Sequence, residues 1–138
     1  MRIETSVFLI IKSHEIEPGE ITRVTGLTPD MTSTKHSREV VGSVKVPKSH
    51  LWRIDSGLDV HQRVEAHLEA LATRVGMSAE RIGGIVDERT KCYMTIVRRF
   101  YLSSDPAAIG FGIDRSILAL LSRLKADIDI DEYDYTVE

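Results

Sequence analysis

Val60, Val64, Leu68, Leu71 and Val75 recur at steps of three and four residues, and no other feature of this chain restricts its fold as strongly. The spacing puts all five on one side of a helix and leaves Arg63, Glu65, Glu69 and Arg74 to water. Asp59 stands where an N-cap belongs and Gln62 three positions on, so the helix is predicted over residues 59–75. Just before it, residues 51–56 alternate as a strand does: Trp52, the only tryptophan, shares a face with Ile54, while Arg53 and Asp55 take the other. Residues 40–46 read as the hairpin partner of that strand, through a turn at Pro47, Lys48 and Ser49. A strand that feeds a one-sided helix buries both apolar faces against each other, which is the signature of an α+β layer.

The rest of the chain supplies the other elements. Residues 6–12 form a Val/Phe/Leu/Ile run too short for a core helix, and predict a strand near the sheet centre. Pro18 opens a short helix carrying Ile21, Val24 and Leu27, with Gly26 at its end. From Thr28 to Arg38 the pattern dissolves into a polar surface loop. Residues 78–86 predict an irregular helix interrupted by Gly83 and Gly84, and residues 91–102 an interior strand with Cys92, Met94 and Ile96 on one face. Asp114 caps a helix with Ile117, Leu118, Leu121 and Leu124 inward, and residues 126–131 then alternate as a strand, isoleucines in and aspartates out. At 138 residues this is one α+β domain: a predominantly antiparallel sheet of about five strands, with the helices at 59–75 and 114–125 on one face. A ferredoxin-like core with additions is the most economical topology.

A formal charge of -3 gives no general attraction to nucleic acid or anionic membrane, and the basic-aromatic run from Arg98 to Tyr101 is a single small patch. The first apolar run is shorter than a signal-peptide core, and nothing approaches the roughly 18 apolar residues of a membrane span. The lone cysteine, Cys92, sits inside an apolar strand and reads as a buried thiol. Together these features predict a cytoplasmic protein.

The apolar first strand, Glu17-Pro18-Gly19-Glu20-Ile21-Thr22, Thr25-Gly26-Leu27-Thr28-Pro29, Leu51-Trp52-Arg53-Ile54 and Asp55-Ser56-Gly57 occur in an order that resembles a bacterial family, domain of unknown function 4279. The likeness extends over nearly the whole chain. It implies a small α+β domain and carries over no catalytic residue.

No catalytic motif, cofactor signature or metal-ligand spacing is present. The histidines lack the spacing of a zinc helix, and Asp127, Asp129 and Asp131 lack the glycine turn and terminal Glu of a calcium loop. Lys35, His36 and Arg38 make the polar loop a candidate for an anionic group, while Arg53, Asp55, Ser56 and His61 gather at the strand-to-helix corner. The clearest acid-base pair is Asp55 with His61 or Glu65. The leading expectation is a small protein-interaction or accessory binding protein, immunity-like in character, with a protein partner and a second copy of the chain among the candidates. The alternative is a small-ligand sensor or enzyme using the polar corner.

Overall fold

The structure is a computed structural model and describes residues 2–35, 48–101 and 110–135. Its elements run β1 (Arg2–Ser13), α1 (Pro18–Thr25), β2 (Met31–Ser33), β3 (His50–Asp55), α2 (Val64–Val75), a 3-10 turn (Gly76–Ser78), α3 (Ala79–Ile85), β4 (Thr90–Tyr101), α4 (Arg115–Leu124) and β5 (Ala126–Asp134). They build an α+β fold around one five-stranded sheet in the order β2-β3-β1-β4-β5. Pairing is antiparallel throughout except between β4 and β5, which run parallel through α4. The sheet is therefore mixed and mostly antiparallel, and its order does not confirm a ferredoxin-like core.

β1 and β4 occupy the centre because both are long and apolar, and they pair over their full length from Arg2↔Tyr101 to Ser13↔Thr90. One sheet face carries Val7, Leu9, Ile11, Trp52, Ile54, Cys92, Met94 and Ile96, all buried. Against it pack Ile21 of α1, the Val64, Leu68, Leu71, Val75 stripe of α2, Ala79 and Ile82 of α3, and Ile117, Leu120, Leu121 and Leu124 of α4. Each aliphatic side chain fully buried in this layer contributes about 1.5–3 kcal/mol. Trp52 also donates its indole Nε1–H to Thr22 Oγ1 at 3.1 Å, tying β3 to α1.

Several boundaries differ from the sequence expectation. The helix begins at Val64, because Arg63 is extended (φ -69, ψ 155) and residues 59–62 form a turn in which Asp59 Oδ1 accepts from the His61 amide. The stretch read as one polar loop contains β2, whose Met31 pairs with Arg53. Residues 40–46, the expected hairpin partner, lie outside the described residues, and β3 has β2 and β1 as its described neighbours. α3 forms through Gly83-Gly84 because a Cβ on Gly83 would stand 2.3 Å from the Arg123 carbonyl oxygen: glycine there lets α3 and α4 touch by backbone. Leu118 points to solvent, and Leu120 takes the core position instead. Ile128 and Ile130 are exposed too, since β5 is an edge strand beyond the cover of the helices.

Candidate functional site

The end of β3 holds Arg53, Asp55 and Ser56, three of the polar groups that the sequence singles out, and alternation splits them between the two sides of the sheet. Arg53 and Asp55 face away from the helices, joined by Arg53 Nε donating to Asp55 Oδ1 at 2.7 Å, with the guanidinium 4.4 Å from the Phe8 ring centroid. Behind them Asp30 accepts the Asp55 amide at 2.7 Å and Arg74 Nη1 at 2.9 Å. The Asp55 amide first, then the Arg74 and Arg53 guanidinium groups, hold the Asp30 carboxyl below the usual carboxylate range. Asp30 and Arg74 thus clamp the entry to β2 and the end of α2 onto β3.

Ser56 faces inward. Its Oγ lies 2.6 Å from His67 Nδ1 in the interior and also accepts the Leu58 amide at 3.3 Å. Burial pushes the His67 ring toward its neutral form, with the Asp59 and Gln62 backbone acting in the opposite direction. His67 Nε2 is buried and makes no hydrogen bond of normal geometry. Arg53, Asp55, Ser56, Gly57 and His67 line one shallow cavity of about 260 Å³. His61 lines a different one, about 460 Å³, with Arg2, Arg63 and Arg98. His67, not His61, is therefore the histidine at this corner. Its place three residues after Val64 puts it on the buried face of α2, a signal the heptad-like stripe already contains.

The loop candidates do not join this corner. Lys35 donates its backbone amide to His50 Nδ1 at 2.9 Å, at the opposite end of β3 from Asp55. His36 and Arg38 lie outside the described residues. Cys92 is buried, and that burial, reinforced by Asp127, pushes its thiol up to about 12, which favours the protonated form. Among the described residues no group of three or more His, Cys, Asp or Glu side chains is placed to hold a metal ion.

The family model described as Domain of unknown function (DUF4279) matches residues 3–135. The chain belongs to the DUF4279 family. No curated protein and no solved structure matches it.

The second feature of this DUF4279 domain is the sheet face turned away from the helices. Phe8, Ile10, Tyr93 and Thr95 floor a groove of about 460 Å³ lined by strand residues alone, with Asp127, Asp129 and Asp131 along one side. The parallel register places Asp127 beside Tyr93, Asp129 beside Thr95 and Asp131 beside Val97. No described cation forms an ion pair with any of the three aspartates, and the nearest lysine of the groove, Lys12, leans over the Tyr93 ring at 5.7 Å. Farther along the same face Tyr101 stacks on Tyr135 at 5.3 Å, and Tyr135 on Tyr133 at 6.3 Å. Among the described residues no helix is long and apolar enough to cross a membrane.

Proposed function

We propose that this DUF4279 protein is a small interaction protein of the cytoplasm that binds a protein partner across the sheet face turned away from the described helices. The observation that carries the reading is the groove on that face, in which aromatic and aliphatic side chains lie beside carboxylates that no described cation pairs. A surface serving solubility alone has no need of Phe8, Ile10 and Tyr93 in one contiguous strip, whereas a recognition surface combines an apolar floor with a charged margin. The test is affinity capture from the native cell with wild type and an Ile10→Glu/Tyr93→Glu variant, each checked for an intact melting transition. A specific partner retained by wild type and lost at least about tenfold in the variant supports the reading. No partner above control, or equal capture by both proteins, overturns it.

A second reading, a small-ligand sensor or enzyme at the β3 corner, is favoured by the 2.6 Å Ser56–His67 contact beside the cavity that Arg53 also lines. In it, His67 Nδ1 takes the serine proton and Arg53 receives an anionic ligand. Covalent labelling by a serine-directed phosphonate in wild type but not in Ser56→Ala supports it, and an unlabelled wild type removes it.

A further inference from the structure

We propose that the outer edge of β5 receives an extended segment of the partner as a sixth strand, and that this segment alternates basic with apolar residues. The inference rests on the interaction reading and adds where the partner lies and what its sequence must look like.

β5 pairs with β4 on one side only, so its other side presents backbone donors and acceptors that no described strand uses. Its two sets of side chains differ in kind. Toward the open face stand Asp127, Asp129 and Asp131, followed by Tyr133 and then Tyr135. Toward the helices stand Ile128 and Ile130, 36% and 45% exposed, which a strand merely protecting its edge would not leave uncovered. A strand added at this edge sets its residues beside those of β5 with a period of two. Lysine or arginine at alternate positions then meets the carboxylates and, farther along, the tyrosine faces. The intervening residues meet Ile128 and Ile130 and extend the apolar layer beside α4.

The same pattern disfavours a second copy of the chain as the occupant. Antiparallel self-pairing of β5 centred on Ile130 sets Asp129 of one copy opposite Asp131 of the other, placing like charges at directly opposed cross-strand positions. The carboxylates therefore favour a basic strand over self-pairing in that register.

The test uses fluorescent six-residue peptides and the full chain at low salt. One peptide alternates three lysines with three valines, one holds the same residues in two blocks, and one alternates aspartate with valine. Anisotropy is expected to show the alternating basic peptide binding at least about tenfold more tightly than the blocked one. Asp129→Lys/Asp131→Lys, on an exposed edge and verified as folded by circular dichroism, is expected to transfer that preference to the aspartate-valine peptide. Equal binding of the blocked peptide reduces the effect to net charge and overturns the proposal, as does no binding or an unchanged preference in the double variant. Should the partner captured from cells survive the β5 double variant yet be lost by Ile10→Glu/Tyr93→Glu, the edge proposal fails and the interaction reading stands.

Discussion

β4 and β5 run side by side and parallel, matched from Cys92↔Ala126 to Phe100↔Asp134, and both set apolar residues on the helix side in register, Met94 with Ile128 and Ile96 with Ile130, yet one is the most buried strand of the sheet and the other the most exposed. The contrast teaches that alternation assigns faces while position in the sheet assigns burial. β4 has a strand on each side and helices over one face. β5 has one described neighbour, and its isoleucines stay exposed on the helix side. An exposed strand with a coherent two-faced pattern is what a docking edge requires, and β5 alone in the described sheet meets that description.

The register offers a direct way to break this comparison, because Ile96 and Ile130 are Cα partners. Ile96→Ala is expected to cost about 2–5 kcal/mol in urea unfolding as a buried truncation. Ile130→Ala, the same chemical change one strand over, is expected to stay within about 0.5 kcal/mol. Equal costs would mean that β5 is covered.

Gly83 and Gly84 make a second matched pair, within the helical layer. Gly83→Ala drives a methyl group into the Arg123 carbonyl and is expected to cost about 1–3 kcal/mol in thermal unfolding. An alanine at Gly84 meets nothing within 4 Å, and is expected to be neutral or to stabilise α3 by up to about 1 kcal/mol.

A smaller effect concerns pH. Burial favours neutral His67 in the folded state, so below the ordinary histidine pKa of about 6.5 the unfolded chain takes up a proton that the folded chain resists. Stability is therefore full above that pH and declines as pH falls through it, ahead of the carboxylate losses expected at lower pH. Denaturation between pH 7.5 and 5.5 is expected to show this slope in wild type and to lose it in His67→Gln. A slope preserved in that variant assigns the effect to another group. The smallest expected change is Asp129→Asn, within about 0.5 kcal/mol by chemical unfolding, because the carboxylate forms no ion pair among the described residues.

Much of this architecture is legible in the residues themselves. The Val64, Leu68, Leu71, Val75 stripe, the inward Trp52 and Ile54, and the two faces of β4 follow from periodicity, because a side chain's direction is a local property. The start of α2 is less legible: Asp59 and Gln62 satisfy a capping pattern, but the extended Arg63 spends that pattern on a turn one step earlier. β2 is three polar-flanked residues held by pairing to β3, which no local pattern announces. The exposure of Ile128, Ile130 and Leu118 depends on how far the helices reach across the sheet, a tertiary quantity. At the corner, Arg53, Asp55 and Ser56 do come together, while the choice of His67 over His61 turns on where α2 begins.

Hydrogen exchange along β5 reads directly whether its outer edge is free to receive a strand. In the free protein, amides of β4 are expected to exchange only on global unfolding, while β5 contains a set that exchanges far faster because no described strand pairs with its outer edge. Adding the alternating lysine-valine peptide at saturating concentration is expected to slow that fast set and leave β2, β3 and the helices unchanged. Fast exchange along β5 that persists with the peptide present, or protection appearing elsewhere, would contradict the account.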